Sequence, residues 1–144
     1  MPDRLVVELQ GNLLEIRRLA RLIEEFGAHN KVPEAAIVQV NLALDELLTN
    51  TISYGFDDAA SHHRLTASLR FGAGVLTAEL VDDGKPFDPF KCADPNLSEP
   101  IGSRTIGGLG VFLVRKLMDE VDYRRVNGEN RVTLIKRTNV SNDV

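Results

Sequence analysis

The stretch that most limits what this chain can fold into is a pair of runs, Leu65-Thr66-Ala67-Ser68-Leu69-Arg70-Phe71 and Leu76-Thr77-Ala78-Glu79-Leu80-Val81-Asp82, with Gly72-Ala73-Gly74 turning the chain between them. Each run alternates apolar and polar residues. Side chains of a strand point alternately to opposite faces, so each run lays one face on a core and the other toward water. Two such runs joined by a short glycine turn predict an antiparallel hairpin. A doubly wound parallel sheet, whose strands are buried on both faces, does not suit this pattern.

The remaining segments supply layers for that hairpin. Arg4 to Leu9 predicts a first strand, and Gly11-Asn12 closes it with Asn12 placed to cap a helix. Leu13, Ile16, Ala20, Ile23 and Phe26 recur at three- and four-residue steps, which is one apolar stripe on a helix expected to end at Gly27. A second helix, the longest expected, starts at Pro33 and runs through Ile37, Val40, Leu44, Leu47, Leu48 and Thr51 to about Gly55. From Asp83 to about Ile106 no period is sustained, and a loop that long in a compact domain is functional or disordered. A third helix from Gly107 or Gly108 to about Met118 is apolar on almost every side and is expected to be buried. Two closing strands, 120–126 and 131–136, are joined by the hairpin dipeptide Asn127-Gly128, and Thr138 onward reads as a frayed tail. Strands and helices in this order predict an α+β fold, and 144 residues suit a single domain spanning 1–144.

Composition narrows the function. The formal net charge is -4 and the Lys and Arg residues form no stripe, which argues against direct nucleic-acid recognition. The locally basic Tyr123-Arg124-Arg125, Arg131 and Lys136-Arg137 read as a solvated sheet face. No apolar run approaches the roughly 20 residues of a membrane span. Met1-Pro2-Asp3-Arg4 leads straight into a strand pattern rather than a secretory signal, and Cys92, the single cysteine, excludes an internal disulfide, so a cytoplasmic location is expected. Cys92 has no recognisable base beside it, and His62-His63 point to opposite faces of a strand, which is poor metal geometry.

Three pieces carry chemistry. On the second helix, Asp45-Glu46-Leu47-Leu48-Thr49-Asn50 sets Glu46 and Asn50 four apart, side by side at the border of the apolar stripe. A carboxylate beside an amide can accept a proton from a hydroxyl and orient Mg2+ through oxygen, although a solvated helix edge would look the same. In Val81-Asp82-Asp83-Gly84-Lys85-Pro86-Phe87, alternation puts Asp82 on the core face with Leu76, Ala78 and Leu80, where an unpaired charge is costly. Either it caps a turn, or a ligand amine such as that of adenine partners it, with Gly84 permitting close approach. Ile106-Gly107-Gly108-Leu109-Gly110-Val111-Phe112 opens the third helix with glycines, which fits a phosphate cradle or a hinge. It has neither the Walker spacing nor the dinucleotide fingerprint.

In this order the three pieces resemble the nucleotide-binding boxes of the GHKL (Bergerat) fold. They are most similar to the anti-sigma-factor serine/threonine kinases of the RsbW and SpoIIAB type, over about Arg4 to Arg137. The residues concerned are 43–50, 82–89 and 107–115. The resemblance implies a two-layer α/β sandwich, mostly antiparallel in a mixed sheet, with helices on one face. It implies that Glu46 is the general base and Asn50 the Mg2+ ligand. Asp82 would bind the adenine amino group of ATP, Gly84 would line the nucleotide, and Gly107, Gly108 and Gly110 would contact its phosphates. Thr133 matches a family Thr that helps to hold the base, and Arg104 is a candidate phosphate contact. Tyr54 stands where relatives commonly have His. Implied partners are an anti-sigma-factor antagonist of the STAS type, phosphorylated on Ser or Thr, and a sigma factor, with a homodimer expected. The alternative is a non-catalytic ATP-binding module that sequesters a partner. A histidine kinase is disfavoured because Glu46 stands where those domains have Asn.

Overall fold

A computed structural model describes residues 3–55, 63–91 and 108–139. Strands β1 (Arg4–Leu9), β2 (Leu65–Gly72), β3 (Val75–Asp82), β4 (Glu120–Val126) and β5 (Glu129–Arg137) form one sheet in the order β1-β2-β3-β5-β4. Every neighbouring pair is antiparallel. The pairing register aligns the alternating residues into rows. Val7, Ala67, Leu80, Val132 and Tyr123 lie across one inner row. Helices α1 (Leu14–His29) and α2 (Glu34–Asn50) cover that face, with Leu19, Ile23 and Phe26 of α1 and Ile37, Val40, Leu44, Leu47 and Leu48 of α2 in the same core. Burying each large apolar side chain contributes about 1.5–3 kcal/mol, so this face is what holds the two layers together. The opposite row, Val6, Ser68, Glu79, Thr133 and Asp122, is half-buried or exposed, which leaves a two-layer α+β sandwich.

Both hairpins turn as their sequences require. Ala73 and Gly74 have φ of 52° and 75°, and Asn127 and Gly128 have 53° and 79°, the left-handed pair that a two-residue turn needs to match strand twist. The N-cap position of α1 is Leu13, without a side-chain cap; Asn12, one residue earlier, accepts the Leu14 N–H on its Oδ1 at 3.1 Å.

Three element readings are corrected. Helix α1 runs through Gly27 to His29. It closes where Asn30 donates both its backbone N–H and its Nδ2 to the Phe26 carbonyl, and Lys31 takes a positive φ of 59°. Gly27 is therefore a packing glycine: a Cβ there would lie 2.5 Å from Cγ1 and 2.7 Å from Cδ1 of the buried Ile37. Alanine in a helix interior normally gains close to 1 kcal/mol over glycine, but overpacking a core costs about 1–3 kcal/mol. Gly27→Ala is expected to destabilise on balance, and a urea midpoint at or above that of the wild type would contradict the packing role.

The α-helical part of α2 starts after Pro33 and stops at Asn50, and Thr51–Gly55 is a π-helical turn rather than its continuation. Such widened turns gather at functional sites, because they reset the angle of the side chains beside them. The third helix, α3 (Gly108–Leu117), is amphipathic instead of wholly buried. Val111, Val114 and the following Met118 are buried, whereas Leu113 is 49% exposed and Arg115 and Lys116 face solvent. The Lys116 ammonium lies 5.2 Å from the Phe112 ring centre, so a cation covers the half-exposed ring.

Candidate active site

The candidate residues stand at the ends of three elements, α2, β3 and α3. Beyond the π-helical turn after α2, the chain re-enters the sheet at Leu65, and Leu65 pairs with Asp82, the last residue of β3. Helix α3 packs against α2 with its first turn at Glu46. A Cβ built on the buried Gly110 would fall 2.0 Å from Oε2 and 2.2 Å from Cδ of Glu46, so the carboxylate lies directly on the glycine backbone. Any side chain at position 110 would push it aside. A helix start favours a negative group through its unpaired N–H donors and its dipole. Glu46 is half-buried, and Asn50, one turn further along α2, is only 6% exposed.

Asp82 closes β3 on the core face and is 5% exposed. Its inner row reads Leu9, Leu65, Asp82, Asn130 and Arg125 across the sheet, apolar at one end and polar at the other. Oδ1 of Asp82 accepts the Gly84 N–H at 2.9 Å and Nδ2 of Asn130 at 2.9 Å. Burial pushes the Asp82 carboxyl above the usual aspartate range; the bonds from Asn130 and Gly84 pull it back, Asp83 adds to the rise and Arg125 opposes it. Arg125 also donates to the Gly84 carbonyl at 2.7 Å, and Asp83 turns outward to accept the Arg64 N–H at 2.8 Å.

A carboxyl with a raised folded-state pKa holds its proton more tightly in the folded than in the unfolded chain. The stability this gives is fully present below the unfolded value and is lost as pH rises through the folded value. Replacing Asp82 by Asn removes the titration. Chemical denaturation of wild type and Asp82→Asn across the acid range is therefore expected to show the wild type losing stability relative to the variant as pH rises through that window. A gap that widens in favour of the wild type would contradict the burial argument.

Residues 9–136 match the histidine kinase-like ATPase domain. The chain belongs to that family. Within it, the chain is 31% identical over 98 residues to the serine/threonine-protein kinase BtrW of Bordetella bronchiseptica, covering 66% of each. It is 30% identical over 99 residues to the serine-protein kinase RsbW of Bacillus velezensis, covering 64% of this chain and 59% of the relative. The chain thus spans about two thirds of the length of the first of these relatives and less of the second. A crystal structure of the RsbU and RsbW domains of a Mycobacterium tuberculosis protein superposes on 96% of this chain and 32% of its own, with a TM-score of 0.68 at 17% identity. The histidine kinase domain of a blue-light activated histidine kinase from Erythrobacter litoralis superposes on 88% of this chain and 60% of its own, with a TM-score of 0.56 at 21% identity. Both likenesses concern the fold.

In this histidine kinase-like ATPase domain the structure brings Glu46 and Gly110 into contact, with Asn50 one turn along α2, and sets Gly84 in the turn after Asp82. Gly108 is the first residue of α3. Gly107, Arg104, Cys92 and His62 lie outside the described residues. Thr133 does not join the site. It pairs with Glu79, and strand alternation turns both to the open face of the sheet, away from Asp82 and the helices. The residue that β5 sets beside Asp82 is Asn130, three positions earlier and on the core face with Val132 and Leu134. Sequence reading missed it. The signal that picked out Asp82, a polar residue at the core-facing end of an alternating strand, applies equally to Asn130. Of the basic group read as a solvated sheet face, Arg124, Arg131 and Arg137 lie on the open face, whereas Tyr123, the exposed Arg125 and Lys136 stand on the inner rows.

Proposed function

We propose that this chain is an ATP-dependent serine/threonine protein kinase that acts as an anti-sigma factor, transferring phosphate to a Ser or Thr of an antagonist of the STAS type. The observation that carries the reading is the Glu46 carboxylate laid on Gly110 at the start of α3, with the buried Asn50 one turn beyond it. Family membership implies an ATP site, and the residues present fit a nucleotide. A glycine-led helix start offers N–H donors to phosphate, and a buried carboxylate at the end of β3 can accept an amine. Asn50 supplies a hard oxygen of the kind Mg2+ takes, and the bound metal would neutralise charge on the phosphates. Glu46 accepts the proton of the attacking hydroxyl, a role for which a half-buried, acceptor-only group suits. Asp82 and Gly84 hold the base, and the first turn of α3 positions the phosphate end. Among the described residues no helix is long and apolar enough to cross a membrane.

The test is direct. The purified chain, given Mg-ATP and its cognate STAS-type antagonist, is expected to place phosphate on a Ser or Thr of that partner, read by mass spectrometry. Tight ATP binding by calorimetry with no transfer to the partner would instead leave a regulatory module that uses nucleotide only to tune its affinity.

A further inference from the structure

Asn130 has two N–H donors and an oxygen with two lone pairs, and the fold uses all four. Its Nδ2 donates to Asp82 Oδ1 at 2.9 Å and to the Lys85 carbonyl at 2.8 Å. Its Oδ1 accepts the Phe87 N–H at 3.2 Å and the Tyr123 hydroxyl at 2.5 Å. The reversed carboxamide would set its oxygen against the Asp82 carboxylate and the Lys85 carbonyl, and its NH2 against the Phe87 N–H, so the neighbours admit one orientation. Asn130 is 2% exposed. With its hydrogen-bonding capacity filled by protein groups, it has nothing left to offer a ligand and acts through the groups it holds, Asp82 and the turn at Lys85 and Phe87.

Tyr123 stands at the far end of this chain of bonds, on the outermost strand β4, and its hydroxyl must be the donor because Oδ1 can only accept. Arg125, two residues along the same strand, holds the Gly84 carbonyl. The β4–β5 hairpin therefore grips both sides of the turn that carries Asp82. In a low-dielectric interior, linked hydrogen bonds polarise one another, and fixing one carboxylate oxygen fixes the plane of the group. An oriented carboxylate accepts from an exocyclic amino group and faces a keto oxygen acceptor to acceptor.

We propose that Tyr123 and Asn130 are positioning residues for the purine end of the site, a relay from β4 through β5 to Asp82 that makes the site prefer a 6-amino-purine nucleotide over a 6-oxo-purine one. This rests on the reading of Asp82 as the group that binds the base. The relay is tested by measuring Kd for ATP and for inosine triphosphate, whose purine carries a keto oxygen where ATP has its amino group. The proteins compared are the wild-type chain, Tyr123→Phe, Asn130→Ala and Asp82→Asn.

The wild type is expected to prefer ATP, and Asp82→Asn to lose that preference. Tyr123→Phe, which removes one hydroxyl and keeps the ring, should cut the preference by about three- to tenfold, the worth of one net hydrogen bond. Asn130→Ala should cut it by more than about tenfold, since Asp82 then loses its side-chain partner and keeps only the Gly84 N–H. A merely structural role would weaken both nucleotides alike and leave the ratio unmoved, and that result in folded variants overturns the relay. Should Asn130→Ala fail to fold, Tyr123→Phe decides alone. If the wild type shows no preference, or Asp82→Asn keeps it, the assignment of Asp82 falls and the relay with it. If Asp82→Asn loses the preference while Tyr123→Phe and Asn130→Ala retain it, only the relay falls.

Discussion

Glu46→Gln is expected to lower phosphate transfer to the protein substrate by about 10²–10⁴-fold, the usual contribution of a positioned general base. Glutamine matches the shape of glutamate, so it keeps the side chain lying on Gly110, but it cannot take up the proton of an attacking hydroxyl. The loss should fall on the chemical step. Single-turnover transfer at saturating Mg-ATP measures that step alone, and ATP affinity from calorimetry in the same variant should change far less than the rate. Near wild-type turnover in Glu46→Gln would remove Glu46 from the mechanism. A matching collapse of ATP affinity would move it from proton transfer to nucleotide binding.

The second large effect is expected at Gly110. An alanine Cβ there would occupy the space now taken by Oε2, Cδ and Cγ of Glu46, at 2.0, 2.2 and 2.8 Å. The obstructing atoms are the far end of a flexible side chain, so the chain relieves the clash by swinging the carboxylate away, at little cost in folding free energy. Alanine is also a better helix former than glycine by about 0.8–1 kcal/mol, which offsets part of that cost. Catalysis tolerates the movement much less well. A displacement of about 1 Å in a reacting group can cost on the order of 100-fold, so transfer should fall by about that factor while the melting temperature stays close to wild type. An active Gly110→Ala protein would show that the seat of Glu46 on α3 is incidental. A sharply destabilised one would show that the glycine serves packing, as Gly27 does against Ile37.

Much of the fold was legible because the apolar patterns are strong. The alternation in 65–71 and 76–82 is realised as β2 and β3, paired residue by residue from Leu65↔Asp82 to Gly72↔Val75. Asn127-Gly128 turns the second hairpin with both residues at positive φ. Element ends were less legible, because they depend on contacts from elsewhere. Gly27 reads locally as a stop, yet the helix continues, since Ile37 needs the space a side chain would fill. Pattern alone carried α2 on to Gly55, whereas the chain widens into a π turn directly after Asn50.

The candidate site divides in the same way. That Glu46 and Asn50 share a helix face, and that Asp82 ends a strand on its core side, follows from the periods 3.6 and 2 and needs no coordinates. The partner of Asp82 is another matter. Thr133 and Asn130 both lie on the last strand, three residues apart, and so face opposite sides of the sheet. Which of them meets Asp82 is set by the register of β3 against β5, a pairing between segments about fifty residues apart. The contact of Glu46 with Gly110 likewise joins residues on different helices.

By itself, the order of residues determined which side chains share a face within each element, because backbone geometry fixes that period locally. Only the tertiary structure decided which faces meet: Asn130 rather than Thr133 at Asp82, and Gly110 beneath Glu46. Strand register and helix docking are settled by the packing of the whole core, where each alternative is weighed against every other buried contact at once.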